Sequence, residues 1–194
     1  MSLCVELTLE GARVLVVGGG RLALRRCRQL LAEGALVRAV SPDFLPDFDS
    51  LPVERACASY EPSFLGGCLL AAPAASAEVN RRVALDAAAR GILTLAAAPG
   101  QEARARVLKS AKEGEITLAC STGGAFPGLN EPLLASLREA AAPYAARLPR
   151  LRRLRALLLA RGDEASRALL ISLPTKSEEE LANLETFLDG NADF

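Results

Sequence analysis

Along the first hundred residues, short apolar runs alternate with longer stretches whose apolar positions recur every three or four residues. Val14-Leu15-Val16-Val17 is continuously apolar and rich in β-branched side chains, so Arg13–Val17 reads as a strand covered on both faces. Leu22, Cys27, Leu30 and Leu31 then fall on one side of a helix over 22–33, with Gly34 where a C-cap belongs. The alternation continues with a strand over 36–40 that ends in Ser41-Pro42-Asp43, and a short strand at 53–56. A buried strand at 68–72 precedes a helix from Ser76 or Ala77 through Arg90, closed by Gly91, and a further strand at 92–96. Strands that alternate with helices predict an α/β unit, a Rossmann-type parallel sheet with helices on its faces.

The pattern changes after Pro99. A basic stretch at 104–112 reads as partly helical, and 115–120 as a strand that ends at Ser121-Thr122-Gly123-Gly124. Helices are expected over 133–142, 148–161 and 164–170, separated by Pro143, Pro149 and Gly162. A last helix starts at Ser177, where Ser177-Glu178-Glu179-Glu180 has the spacing of a capping box. The expected organisation is a dinucleotide-binding domain over 1–113, a short bridging and dimerisation segment over 114–146, and a helical C-terminal domain over 147–194.

The candidate chemistry starts at the end of the first strand. Gly18, Gly20 and Ala23 fit the G-x-G-x-x-G/A fingerprint of a dinucleotide-binding βαβ unit, between a strand and a helix as that motif requires. Gly18 permits the tight turn, Gly20 lets backbone approach a pyrophosphate, and Ala23 keeps the helix close to the sheet. Lys+Arg and Asp+Glu balance at 23 each, which excludes an extended phosphate-binding face, so no nucleic-acid partner is expected. No run approaches the ~18–20 apolar residues of a membrane span and no secretory signal is visible, so no membrane partner and a cytoplasmic location are expected. The five cysteines form no C-x-x-C pair and read as reduced thiols, without disulfides or a resident metal site. Histidine is absent, which removes the commonest general base and the commonest metal ligand together.

Four local motifs, in order, resemble the precorrin-2 dehydrogenase/sirohydrochlorin ferrochelatase family, the N-terminal module of siroheme synthase. They are Gly18-Gly19-Gly20-Arg21-Leu22-Ala23-Leu24-Arg25-Arg26, Val40-Ser41-Pro42-Asp43, Glu78-Val79-Asn80-Arg81-Arg82-Val83 and Ser121-Thr122-Gly123-Gly124-Ala125-Phe126-Pro127. The resemblance implies NAD as cofactor, bound by Gly18, Gly19, Gly20, Arg21, Leu22, Ala23, Asp43 and Asn80. Asp43 would accept hydrogen bonds from the adenosine ribose, although it reads nearly as well as a turn residue; Asn80 reads more simply as part of a polar helix face. The resemblance further implies a homodimer and a tetrapyrrole substrate, with Ser121, Thr122, Gly123 and Gly124 beside it. Arg104, Arg106 and Lys109, with Lys112, would meet its carboxylates; a solvated helix face is the equal alternative. Arg147, Arg150, Arg152, Arg153 and Arg155 form a second basic group that could close over the same ligand or pack on a partner subunit.

The departures from the family change the picture again. Ala97 occupies the position of the family's acid/base aspartate, and alanine cannot accept a proton. Ala72-Pro73-Ala74 replaces an acidic segment, and Glu131 stands where an arginine is expected. The expectation is an NAD-dependent precorrin-2 dehydrogenase that makes sirohydrochlorin, with weak or absent ferrochelatase activity. The alternative is a catalytically impaired homologue that binds nucleotide or tetrapyrrole as a carrier, partner or regulator.

Overall fold

The computed structural model describes residues 4–95, 103 and 105–190. Five parallel strands, β1 (Arg13–Val17), β2 (Leu36–Ser41), β3 (Glu54–Cys57), β4 (Leu70–Pro73) and β5 (Leu93–Thr94), lie in the order β3-β2-β1-β4-β5. The chain works outward from β1 to β3 and then returns to the other side of β1, so a switch point opens between β1 and β4. Helix α1 (Arg21–Ala32) covers one face and α2 (Ala77–Ala89) the other. This explains the unbroken apolar run of β1. Val14 and Val16 pack with Ala23, Leu24, Cys27 and Leu30 of α1, while Leu15 and Val17 pack with Val83 and Ala87 of α2. Each Val or Leu side chain among them contributes about 1.5–3 kcal/mol when fully buried.

Of the expected strand at 92–96, regular pairing covers Leu93–Thr94 and Leu95 adds a single parallel bridge to Ala105, while Ala96 lies outside the described residues. The chain divides into two compact units, Met1–Val107 and Leu108–Phe194.

The partly helical reading of 104–112 is corrected over 105–112, where no helix forms. Strand β6 (Lys109–Glu113) pairs antiparallel with β7 (Ile116–Cys120), in register from Lys109 opposite Cys120 to Glu113 opposite Ile116. Gly114 makes the two-residue turn possible at φ 56°, a conformation in which glycine is the favoured residue. Basic residues obscured the alternation that a hairpin strand requires.

The expected helices over 133–142 and 148–161 are a single 32-residue helix, α3 (Asn130–Arg161), that runs through Pro143 and Pro149. Each proline removes one intrahelical hydrogen bond, and an interior proline costs about 3 kcal/mol. Ala- and Leu-rich flanks favour helix on both sides of them, and both ends of α3 are anchored. The N-terminal half packs on the hairpin, where Arg138 bonds Glu113 at 3.1 Å. Leu154 and Leu158 join Leu173, Leu181 and Leu188 in a core built with α4 (Glu164–Ser172) and α5 (Glu178–Gly190). The capping box forms as expected: the Ser177 N–H donates to Glu180 Oε2 at 2.7 Å and the Glu180 N–H to Ser177 Oγ at 3.2 Å. Among the described residues no helix is long and apolar enough to cross a membrane.

Candidate dinucleotide site

The three glycines after β1 perform different tasks. Gly18 sits at φ 132°, and its N–H donates to Val40 O at 2.8 Å, tying the turn to the end of β2. A Cβ at Gly18 would collide with the Ala74 carbonyl beyond β4, and one at Gly19 with the Asp43 carbonyl beyond β2. The Leu45 N–H also donates to Gly19 O at 3.0 Å. Gly18 and Gly19 therefore let three strand ends converge; the sequence motif alone assigned no task to Gly19.

Gly20 is different. A Cβ built there would meet nothing within 4 Å. It is the extended N-cap of α1, and it supplies neither a capping side chain nor an acidic neighbour in the first turn. The first-turn amides of Arg21, Leu22 and Ala23 have no side-chain cap, and the positive end of the helix dipole faces the same open space. This arrangement binds anions, and a dinucleotide pyrophosphate fits it. Ala23 is fully buried and brings α1 down onto Val14 and Val16. Arg21 is exposed and Leu22 half-buried at the mouth of the crevice.

Asp43 places its backbone against Gly19, and its exposed carboxylate forms no ion pair among the described residues. Asn80 is only 6% exposed and belongs to no polar surface. Its Oδ1 accepts from the Ala75 N–H at 2.9 Å, and its Nδ2 donates to Ala75 O at 3.1 Å. Asn80 thus clips the loop that carries Ala74, which the Ala74 N–H to Val17 O bond of 2.7 Å also holds against β1. Beside it, a cavity of about 290 Å³ is lined by Pro73, Ala77, Asn80, Arg81, Ala84, Leu95 and Ala103. A second cavity of about 390 Å³ lies at the amino ends of the strands, among Arg13, Arg38, Glu54 and Cys68. Burial pushes the Cys68 thiol up despite the nearby Arg38 and Arg13 guanidinium groups, and pushes Cys27 up to about 11, so neither supplies a thiolate at neutral pH.

The residues expected to meet the substrate fall in both units. Ala97 and Arg104 lie outside the described residues. Arg106 is the penultimate residue of the first unit, whereas Lys109 belongs to β6 in the second and pairs with Glu131 at 2.6 Å. After β7, Ser121 Oγ accepts from the Gly123 N–H at 3.1 Å and Thr122 Oγ1 from the Phe126 N–H at 3.3 Å. Gly123 and Gly124 turn that loop at φ 66° and 91°. Four of the five arginines of the second group are paired within their own unit, and Arg155 is exposed. Arg147 and Arg150 pair with Glu178 at 2.6 and 2.7 Å, Arg153 pairs with Glu185 and Asp189 at 2.9 and 2.7 Å, and Arg152 pairs with Glu115. The acids that neutralise Arg147, Arg150 and Arg153 lie some thirty residues downstream, and that of Arg152 lies upstream in the hairpin turn, all beyond the reach of any local pattern. Among the described residues no three His, Cys, Asp or Glu side chains converge as metal ligands.

A parallel sheet with its switch point beside an uncapped, glycine-led helix N-terminus defines a dinucleotide-binding protein of the Rossmann class. The family model "Putative NAD(P)-binding" matches residues 5–121. Siroheme synthase of Chromobacterium violaceum is 36% identical over 140 residues, which cover 70% of this chain and 30% of that protein. Precorrin-2 dehydrogenase of Bacillus subtilis is 28% identical over 128 residues, covering 63% of this chain and 78% of that one. The solved structure of SirC, precorrin-2 dehydrogenase, shares the fold with a TM-score of 0.72 at 22% identity, and the match covers 97% of this chain and 100% of that one. The matched segment thus spans less than a third of the siroheme synthase. The chain belongs to the precorrin-2 dehydrogenase family.

Proposed function

We propose that this chain oxidises precorrin-2 to sirohydrochlorin with NAD⁺, as an enzyme with weak or absent ferrochelatase activity. The observation that carries the reading is the open space at Gly20 in front of the uncapped α1 N-terminus, at the β1–β4 switch point. When bound there, NAD⁺ would accept a hydride from the substrate, and one proton would leave with it. The chain's part is to bind and orient. The amides of Arg21, Leu22 and Ala23 hold the pyrophosphate, and Asp43 accepts from the adenosine ribose. Asn80 keeps the Ala74 loop in place and lines the cavity beside it. The loop from Ser121 to Gly124, with Arg104, Arg106 and Lys109, is assigned to the substrate.

Loss of a general base lowers a rate by about 10²–10⁴-fold, which a cofactor-driven dehydrogenation survives more readily than insertion of a metal substrate that must displace two pyrrole protons. Ala97 therefore bears chiefly on chelation. A homodimer built through residues 114–146 completes the proposal. Leu129, Leu133 and Leu137 are 50%, 40% and 36% exposed at four-residue spacing along that segment, with Phe126 exposed nearby, and this apolar row supports it. Light scattering at micromolar concentration tests it, and a monomer refutes it.

One observation favours a second reading, a binding protein without turnover. Glu131 reverses the expected charge and also neutralises Lys109, so one change weakens two positions assigned to substrate carboxylates. Anaerobic turnover of precorrin-2 with NAD⁺, followed by sirohydrochlorin absorbance beside an Ala97→Asp variant, separates the two. Turnover by the natural chain establishes the dehydrogenase. Activity gained only in the variant establishes the binding protein.

A further inference from the structure

The cavity of about 290 Å³ lies on the β4–β5 side of the switch point, opposite the side marked by Asp43. A dinucleotide seated on the α1 N-terminus lays its two halves to either side of that crevice, so this cavity is where its second half and a reacting partner would meet. Among the described residues the wall is apolar, formed by Pro73, Ala77, Ala84, Leu95 and Ala103, and only Asn80 and Arg81 bring polar side chains to it. Both ends of Asn80 are already bonded to Ala75. Arg81 is the one with hydrogen bonds to give. It is exposed and makes no ion pair among the described residues, not even with Glu78 three positions earlier on α2. The adjacent Arg82 behaves otherwise, since it lies 3.9 Å from Asp86 and 5.8 Å from the Tyr60 ring centroid.

The size of the cavity limits what enters it. It falls at the low end of the roughly 300–1,000 Å³ of small-molecule sites, so it takes one flat ring and leaves a larger ligand's remaining groups at the rim. A guanidinium there matches a carboxylate with two parallel hydrogen bonds. We infer that this cavity seats one ring of the substrate and that Arg81 is a substrate-binding residue that clamps a carboxylate carried on it. The inference rests on the dehydrogenase reading above.

The test is anaerobic steady-state kinetics with precorrin-2 and NAD⁺ on the wild-type chain, Arg81→Ala, Arg81→Lys and, as a control, Arg82→Ala. Arg81→Ala is expected to raise the KM for precorrin-2 by about 10–100-fold, the worth of a charge-assisted hydrogen-bond pair. Its kcat should stay within about threefold and the KM for NAD⁺ should not move, because the contact is lost equally from the ground and transition states. Arg81→Lys should recover part of the effect, and Arg82→Ala should match wild type. An unchanged precorrin-2 KM in Arg81→Ala overturns the assignment; a rise in the NAD⁺ KM overturns it too, by placing Arg81 on the dinucleotide. If the wild-type chain shows no turnover, the dehydrogenase reading fails instead. Sirohydrochlorin binding, read by fluorescence quenching, then decides Arg81 alone: tenfold weakening in Arg81→Ala sustains the clamp, and equal binding or no binding by either protein overturns it.

Discussion

Replacing Gly20 by aspartate should separate folding from cofactor binding. Gly20 has φ −89° and ψ −172°, an extended conformation open to any residue, and its Cβ would stand in empty space. Aspartate is a better N-cap than glycine by a few tenths of a kcal/mol, and its charge gains about 0.3–1 kcal/mol from the helix dipole. For a chain of this size, 1 kcal/mol moves Tm by about 2–4 °C, so Gly20→Asp should melt at or slightly above wild type. The same carboxylate would occupy the amides left for a pyrophosphate and face its charge. Two unit charges about 4 Å apart repel by about 4 kcal/mol at an effective dielectric near 20, so NAD⁺ affinity should fall by at least about 100-fold. Calorimetric titration with NAD⁺ and a thermal melt on the same sample make the assay. Gly20→Ala serves as a neutral control, with a much smaller loss of affinity. Wild-type NAD⁺ affinity in a stably folded Gly20→Asp protein would refute the assignment of the pyrophosphate to this helix.

Asn80→Leu removes both hydrogen bonds to Ala75 and leaves a part-buried N–H and carbonyl unpaired, at a cost of about 1–3 kcal/mol seen in a denaturant midpoint; an unchanged midpoint would deny the clip its structural role. Tyr60 is pushed up to about 12, by burial first and then by the Asp86 carboxylate that accepts its hydroxyl at 3.2 Å. Because the folded state holds that proton more tightly, its contribution is complete below pH ~10 and disappears as pH rises toward 12. Absorbance titration in a Tyr144→Phe background checks this, and a phenol titrating near 10 would contradict it. Asp163 and Glu180 are both held below the usual carboxylate range, chiefly by the backbone N–H of Ser166 and of Ser177 respectively. Their folded-state values are depressed, so their contribution is present above pH ~4 and is lost as pH falls through those lower values. Acid titration of the helical signal should be flatter in Asp163→Asn/Glu180→Gln, and identical profiles would show that the two caps do not titrate with folding.

The elements that sequence revealed are those whose cause is local. The apolar run of β1 is covered by α1 and α2 in alternation, and Gly18 with Ala23 marks the turn between strand and helix. The capping box at Ser177 needs only three residues of spacing. What sequence concealed depends on partners far along the chain. The β6–β7 hairpin is polar on its outer positions and is held by α3, so Lys109 to Lys112 resembled a basic helix. Pro143 and Pro149 argued for helix ends, and that local cost is overridden by anchoring on Glu113 and on the Leu154–Leu158 core. Asn80 looked like a solvated residue because nothing local signals that Ala75 folds back onto its side chain.

The same distinction bears on the substrate side of the site. A cluster of arginines suggests ligand carboxylates only until its charge is balanced, and here α5 supplies the balance. Glu178, Glu185 and Asp189 bind Arg147, Arg150 and Arg153, while Glu131 binds Lys109. Charge density along the sequence is therefore a poor guide to anion binding in this chain. A cation lining a cavity without an internal counter-ion is a better one, and that criterion leads from the crowded arginines of α3 to Arg81 on α2, whose sequence context, Asn80-Arg81-Arg82, gives no hint that its two arginines differ. The open α1 N-terminus and the unpaired arginine on the far side of the switch point are thus the two contacts on which the proposed oxidation of a polycarboxylate rests before any proton is moved.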